Sequence, residues 1–141
     1  MKLVPVEGDI QAGLVLYYLL MERPPEHNIS HKHMPSFEEH MAFVKEHPYE
    51  AWYVIENDGV ILGAIYLSKP PAAKSLPGNE IGIGLFKDHM GKGYGEEAAR
   101  LLMQKHGKRR YIANSAPTNE ASKKLWHKLG FSHVQETFAS E

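Results

Sequence analysis

The hydrophobic and polar positions of the chain divide it into four helical and six extended segments. Capping residues, proline stops and apolar faces that repeat every three or four positions predict the helices. They run from Asp9 to about Glu22, Ser36–His47, Glu96 to about His106 and Asn119–Leu129. Ser36 and Glu39 form a capping box at the start of the second helix, and Gly130 is a typical C-terminal glycine for the last one.

Runs of apolar, β-branched and aromatic residues predict the extended segments. We expect strands at Lys2–Val6, Ala51–Glu56, Val60–Ser68, Glu80–Phe86, Arg110–Ala113 and Phe131 to about Phe138. Asn57-Asp58-Gly59 predicts a tight hairpin, whereas residues 69–78 contain three prolines and predict a loop. The order β-α-α-β-β-β-α-β-α-β predicts one α/β domain over residues 1–141, in which helices cover a mixed sheet.

Composition narrows the functional classes. The chain has 16 basic and 17 acidic side chains and a formal charge of -1, so we expect neither a nucleic-acid partner nor a membrane surface. It has no cysteine, which excludes disulfides, thiolate zinc sites and a cysteine nucleophile, and which fits a reducing cytoplasm. The longest apolar run, Leu14–Met21, is far too short to span a bilayer.

The segment DHMGKGYGEE, residues 88–97, is a candidate anion site because three alternate glycines precede a helix. The N-terminus of a helix presents unpaired N–H groups, and glycine lets a phosphate approach them. The segment does not fit a P-loop, since Gly93 follows Lys92 where Ser or Thr is required. It does not fit a dinucleotide fingerprint either, because the third glycine position holds Glu96. A glycine-rich turn without a ligand remains an alternative.

Two segments resemble the GNAT acetyltransferase superfamily. GKGYGEEAARLL follows the strand EIGIGLF and resembles the cofactor motif Arg/Gln-x-x-Gly-x-Gly/Ala of that family. Gly93 and Gly95 match its two small positions, and Met90 stands where Arg or Gln is usual. NEASKKLWHKLGF, residues 119–131, resembles the family segment N-x-x-S/A-x-x-L/V-Y/F/W-x-K/R-x-G-F. The spacing from Glu80 to the loop looks most like the branch that acetylates ribosomal-protein N-termini.

The resemblance implies a fold and a cosubstrate. We expect a mostly antiparallel central sheet with a V-shaped splay between strands 4 and 5, and a bulge in strand 4. Acetyl-CoA would lie along strand 4, with its thioester carbonyl polarised by the N–H of Leu85 or Phe86. The expected contacts with acetyl-CoA are Leu85, Phe86, Met90, Gly91, Lys92, Gly93, Tyr94, Gly95, Asn119 and Ser122. Only ten residues follow Phe131, so the closing strand of the sheet is either missing or supplied by a partner in a homodimer.

The resemblance also implies catalytic residues. Acyl transfer to an amine needs a base, because an alkylamine has a pKa of about 10. Glu80 matches the position of a carboxylate base in several relatives, although a carboxylate at a strand start can also be purely structural. Many relatives protonate the leaving thiolate with a Tyr at the position of Trp126, so Ser115, Ser122 or a water would act here.

The sequence says less about the amine acceptor than about the acetyl donor. The His-rich segment with His27, His31 and His33, together with Tyr66, would line the acceptor side. A metal site there needs a third ligand, so we expect no metal; a solvated loop is the other alternative. The expected function is N-acetylation of a primary amine, from a small molecule such as an amino sugar or from a protein N-terminus. The alternative is a module that binds CoA without turnover, as a sensor or assembly subunit.

Overall fold

The computed structural model describes residues 1–23, 34–72 and 76–140. In these residues a five-stranded sheet has the order β1-β2-β3-β4-β5. The strands are β1 (Lys2–Pro5), β2 (Ala51–Asn57), β3 (Val60–Leu67), β4 (Asn79–Leu85) and β5 (Tyr111–Ile112). The helices are α1 (Ile10–Glu22), α2 (Phe37–Lys45), α3 (Tyr94–His106) and α4 (Glu120–Lys128).

The sheet is mixed, as predicted. The strands β1 to β4 pair with their neighbours in antiparallel fashion, and β5 runs parallel to β4. Helices α1 and α2 pack on one face over a core of Val6, Leu16, Leu19, Val44, Val54 and Ala64. Helices α3 and α4 contribute Ala98, Ala99, Leu102 and Trp126 to a larger core on the other face. The predicted α/β class with helices flanking the sheet is therefore confirmed.

Local sequence signals account for several element boundaries. The Asp9 side chain accepts a hydrogen bond from the Ala12 N–H at 3.3 Å, and Ser36 and Glu39 form the predicted capping box. Asp58 and Gly59 both have positive φ, 51° and 79°, as a two-residue hairpin turn requires. Helix α3 begins at Tyr94, two residues before the predicted start.

The splay between β4 and β5 is the feature that opens the sheet. The two strands pair only at Asn79 with Tyr111 and Glu80 with Ile112. Strand β4 then continues to Leu85 while β5 ends. The predicted V-shaped splay between strands 4 and 5 is thus confirmed, and the second half of β4 borders a gap.

The predicted bulge in β4 is wrong. The register from Gly63 with Leu85 to Leu67 with Ile81 runs without a shift. The irregularity of the sheet lies between β2 and β3, where Ile55 pairs with Gly63 and Glu56 with Ile61, so that Leu62 of β3 is the extra residue. Strands β3 and β4 approach each other closely because of glycine, and not because of a bulge. A Cβ on Gly63 would lie 2.0 Å from the carbonyl oxygen of Gly84, so two strands at this distance need a glycine.

The predicted last strand, Phe131 to Phe138, is also wrong. Residues 131–140 contain no strand. Phe131 packs against Trp126 with ring centroids 5.1 Å apart, but Val134 and Phe138 are exposed. Apolar residues at these three positions do not alternate as a half-buried strand requires, and the two-residue β5 offers little edge to pair with.

Candidate active site

One cavity of about 780 Å³ occupies the gap beside β4. Its walls come from both faces of the sheet. One end is lined by the loop and first turn of α3 and by α4, and the other by α1, α2, Tyr49 and β3. The cavity therefore extends along β4 between the two groups of helices.

The edge of β4 that faces the gap carries backbone groups available for a ligand. Glu80 O accepts from the Ser68 N–H at 2.8 Å and Phe86 N–H donates to Leu62 O at 2.9 Å, so the even-numbered residues pair with β3. By alternation, Ile83 and Leu85 direct their N–H and C=O groups into the gap. Of the two N–H groups expected to polarise the thioester, that of Phe86 is already bound to β3, whereas that of Leu85 faces the gap.

The N-terminus of α3 is uncapped and lies at one end of the cavity. Gly93 is the N-cap residue, with φ 83°, and no side chain caps the helix. Gly91 has φ 75°, and a Cβ at either glycine would meet nothing within 4 Å. The first N–H groups of α3 and the helix dipole therefore favour an anion here.

Gly95 has a different role from its two neighbours. It is buried in the first turn of α3, and a Cβ on it would lie 2.7 Å from a methyl of Leu125 and 3.8 Å from one of Leu85. Its lack of a side chain allows α3, α4 and β4 to pack closely. The alternation of glycines therefore combines two needs: positive φ at Gly91 and Gly93, and close packing at Gly95.

The first acidic side chain of α3, Glu96, is paired with two cations, so its negative charge is neutralised. Glu96 is bonded to Arg100 at 2.8 Å and lies 3.2 Å from the ammonium of Lys128. The hydrogen bond from Arg100, followed by that from Lys128, lowers the pKa of Glu96. Of the predicted contacts here, Met90 lines the cavity, whereas Lys92 is exposed and does not line it. The cavity wall also contains three cations that no motif marked, Lys87, Lys124 and Lys128.

Hydroxyl groups from α4 and the preceding loop form a short chain in the cavity wall. Ser115 Oγ and Ser122 Oγ are 2.6 Å apart, and the indole N–H of Trp126 donates to Ser122 Oγ at 3.2 Å. Asn119 caps α4 by accepting from the Ser122 N–H at 3.2 Å. Because Ser122 accepts from the indole, its own proton is directed to Ser115 or to the cavity.

Glu80 lines the cavity at the point where β4 and β5 part. Its N–H donates to Ser68 Oγ at 2.7 Å, and its Oε2 accepts from the amide of Asn114 at 2.7 Å. Within the described ranges Glu80 has no ion pair. The carboxylate is thus held in place through one oxygen, and the other is available to a ligand.

An aromatic wall faces the same end as Glu80. The Tyr66 ring stacks on Tyr49 with centroids 3.9 Å apart and planes at 7°, and Trp52 packs edge-on against Tyr49 at 4.8 Å. A Cβ on Gly82 would lie 2.1 Å from a carbon of the Tyr66 ring. Burial, reinforced by the negative charge of Glu80, raises the pKa of Tyr49 to about 12 and also raises the pKa of Tyr66.

Arg23 follows α1 directly and reaches across the same wall. A Cβ on Gly84 would lie 2.8 Å from its Nη2 atom. Burial lowers the pKa of Arg23, and the neighbouring tyrosines Tyr66 and Tyr49 act in the opposite direction. No local motif marks Arg23 or Tyr49 in the sequence, because Arg23 meets Gly84 of β4 and Tyr49 meets Tyr66 of β3 only in the folded chain.

The predicted histidine contacts are not tested. His27, His31 and His33 lie outside the described residues. His40 lines the cavity and is 3% exposed, with its Nε2 atom 3.1 Å from Gly13 O. The residues that the structure describes contain no group of three or more side chains that could hold a metal ion, and none of their helices is long and apolar enough to cross a membrane.

Comparison with known proteins identifies the fold. The family model "Acetyltransferase (GNAT) domain" matches residues 17–132, and no curated protein matches the chain. An N-acetyltransferase of Staphylococcus aureus is 19% identical, with a TM-score of 0.70 over 95% of this chain and 84% of that one.

Two further solved structures are similar. A Salmonella typhimurium protein named as an acetyltransferase, solved with its cofactor acetyl-CoA, is 19% identical, with a TM-score of 0.64 over 94% of this chain and 80% of that one. A ribosomal-protein-alanine N-acetyltransferase of Brucella melitensis is 18% identical, with a TM-score of 0.70 over 96% of this chain and 86% of that one. At these identities the likeness establishes a common fold.

Proposed function

The chain belongs to the GNAT acetyltransferase family, and from this we propose that it transfers the acetyl group of acetyl-CoA to a primary amine by direct attack in a ternary complex. The observation that carries the proposal is the continuity of one cavity from the uncapped N-terminus of α3, along the open edge of β4, to Glu80. Residues 1–141 are proposed to form a single acetyltransferase domain.

The residues of the donor end fit acetyl-CoA. The pyrophosphate is proposed to accept hydrogen bonds from backbone N–H groups between Gly91 and Gly95, with Lys87 and Lys124 nearby in the cavity wall. The pantetheine arm is proposed to pair with Ile83 and Leu85 as an added strand. The Leu85 N–H would then polarise the thioester carbonyl. Hydrogen-bond donors of this kind contribute roughly 2.7–4 kcal/mol to acyl transfer. Met90, Tyr94, Asn119 and Ser122 complete the proposed contacts.

Glu80 is proposed as the base. The acceptor arrives mainly as an ammonium at neutral pH, and it must lose a proton before nitrogen can attack the thioester carbon. Asn114 holds one oxygen of Glu80, which leaves the other to accept that proton directly or through a water. The new C–N bond forms as the C–S bond breaks.

The serine pair is proposed to supply the proton to the leaving thiolate. Ser115 and Ser122 share a hydrogen bond, and the indole of Trp126 donates to Ser122. A hydroxyl that accepts such a bond becomes a stronger donor itself. The indole of Trp126 is therefore proposed to polarise Ser122 through this hydrogen bond, and it does not itself donate a proton to the thiolate.

The acceptor side is proposed to include Tyr66, His31 and His33. A peptide N-terminus is suggested by the sequence resemblance to the branch that acetylates ribosomal proteins, and a small-molecule amine is the other candidate. Homodimer formation and a cytoplasmic location stay predictions.

The test is release of free thiol from acetyl-CoA against a panel of primary amines. We expect turnover by the wild type and a loss of about 100- to 10,000-fold in kcat for Glu80→Gln, with the acetyl-CoA Kd unchanged within twofold. Glu7→Gln, an exposed carboxylate remote from the cavity wall, is the matched control and should keep full activity. Binding of acetyl-CoA without turnover of any amine would favour the non-catalytic CoA-binding module instead.

A further inference from the structure

We propose that the amine acceptor carries a carboxylate and that Arg23 is the residue that recognises it. The inference rests on the proposed function, since it concerns the second substrate of the same site. Its basis is a cation in the wall of the cavity that has no partner among the residues that the structure describes.

Arg23 makes no hydrogen bond or ion pair through its guanidinium to any part of the chain that the structure describes. It nevertheless lines the cavity and is only partly exposed. A guanidinium carries five N–H donors, and burying them without acceptors is costly. The neighbouring carboxylate, Glu22, is directed elsewhere: it forms no ion pair with Arg23, and its Oε1 accepts from the backbone N–H of Lys87, two residues after β4. As far as residues 1–23, 34–72 and 76–140 are concerned, the donors of Arg23 are therefore available to a ligand.

The position of Arg23 places those donors on the acceptor side. Glu80, Gly82 and Gly84 share one face of β4, since side chains alternate along a strand. Tyr66 lies over Gly82, and the Arg23 guanidinium lies over Gly84. The face thus presents a carboxylate at one end and a guanidinium at the other, across about 13 Å of strand between the Cα atoms of Glu80 and Gly84.

Two tyrosine hydroxyls lie between Glu80 and Arg23, and neither has a hydrogen-bond partner among the described residues. Neither Tyr49 Oη nor Tyr66 Oη has a hydrogen bond within the described ranges, and both rings line the cavity. Both stay protonated at neutral pH, because an ordinary tyrosine has a pKa of about 10 and burial raises the pKa of each group further. They are consequently donors, and a carboxylate bound to Arg23 can accept from them as well.

The charge balance favours a carboxylate over a phosphate. One guanidinium matches one negative charge, and its planar fork fits a carboxylate with two parallel hydrogen bonds. Glu39 and Glu80 line the same cavity and would repel a dianion. An amine separated from a carboxylate by several bonds can reach Glu80 and Arg23 together.

The experiment compares matched amines that differ only in a carboxylate. The pairs are β-alanine with ethylamine, γ-aminobutyrate with propylamine, and 5-aminovalerate with butylamine. Turnover is followed by thiol release, and binding is followed by calorimetry in the presence of coenzyme A. For at least one pair, we expect the wild type to favour the carboxylated amine by 10-fold or more in kcat/KM and in affinity.

The variants locate the effect on Arg23. Arg23→Met should raise KM for the favoured carboxylated amine by roughly 10- to 100-fold, as expected for a hydrogen-bonded charge, and leave its uncarboxylated partner within about twofold. Arg23→Lys should restore part of the preference. Arg110→Met, an exposed arginine that does not line the cavity, is the control and should behave as wild type.

The outcomes separate this inference from the acetyl-transfer proposal. Equal binding of both members of every pair, or an equal effect of Arg23→Met on both, would overturn the carboxylate assignment even if acetyl transfer occurs. A preference for a phosphorylated amine of the same length over the carboxylated one would overturn it too. A carboxylate preference in binding that Arg23→Met abolishes supports the inference even without turnover, in which case the acetyl-transfer proposal fails alone.

Discussion

The substitution Gly82→Ala tests whether the glycine in the middle of β4 is needed to make room for the Tyr66 ring in the cavity wall. A Cβ at this position would lie 2.1, 2.2 and 2.6 Å from Cε1, Cζ and Oη of Tyr66. The ring has little room to retreat, because it stacks on Tyr49 at 3.9 Å and Trp52 lies behind Tyr49. Overpacking of this kind costs about 1–3 kcal/mol of unfolding free energy.

The functional effect should be confined to the acceptor. The methyl group would point to the face of β4 that Tyr66 covers, whereas the N–H groups of Ile83 and Leu85 point along the sheet into the gap, so we expect the acetyl-CoA Kd to stay within about twofold. The displaced Tyr66 ring should raise the acceptor KM by roughly 10-fold, the equivalent of about 1.4 kcal/mol. The two constants come from calorimetry and from thiol-release kinetics on the same preparation.

A double-mutant cycle in urea isolates the clash. In a Tyr66→Ala background the ring is gone, so Gly82→Ala should cost less than in the wild type by at least about 1 kcal/mol. An equal cost of Gly82→Ala in both backgrounds would refute the reasoning, because the strain would then lie in the strand itself. A loss of acetyl-CoA affinity as large as the loss of acceptor affinity would refute it as well.

Three other substitutions test separate parts of the site. Gly93→Ala forces a Cβ on a residue with φ 83°, so unfolding free energy should fall by about 1–2 kcal/mol and calorimetry should show weaker acetyl-CoA binding. Ser122→Ala removes the acceptor of the Trp126 indole N–H, and urea denaturation should show a loss of about 1–3 kcal/mol together with a lower kcat. Arg100 lowers the pKa of Glu96, so the stability difference between wild type and Glu96→Gln should be present above pH about 4.3 and vanish as pH falls below it.

The local geometry at the starts of α3 and α4 could be predicted from the sequence because its signals are local. A glycine with positive φ, an uncapped helix start and an Asn that caps α4 each occupy a few consecutive residues. The hairpin at Asp58-Gly59 and the capping box at Ser36 were predictable for the same reason. The order of the elements was predicted from the apolar and turn pattern, and the family resemblance added the expected splay between strands 4 and 5.

The contribution of Arg23 and Tyr49 to the cavity wall could not be predicted because the wall is assembled from distant segments. Arg23 reaches Gly84 only when α1 packs on the sheet, and Tyr49 meets Tyr66 only when β2 pairs with β3, and no spacing in the sequence records those contacts. The resemblance implied a bulge in strand 4, whereas the glycines of this strand, Gly82 and Gly84, provide space for Tyr66 and Arg23. The prediction of a last strand at Phe131–Phe138 was wrong because a short apolar run does not show whether a neighbouring strand has a free edge for pairing.

Amide hydrogen exchange along β4 and α3, with and without acetyl-CoA, tests the central claim most directly. If the pantetheine pairs with the open edge of β4 and the pyrophosphate binds the start of α3, the N–H groups of Ile83, Leu85, Tyr94 and Gly95 should exchange more slowly when acetyl-CoA is bound. The Phe86 N–H, which already donates to Leu62 O at 2.9 Å, is the internal control and should be protected in both states. Saturating acetyl-CoA that leaves Ile83 and Leu85 unchanged, or that protects residues outside this cavity instead, would contradict the account.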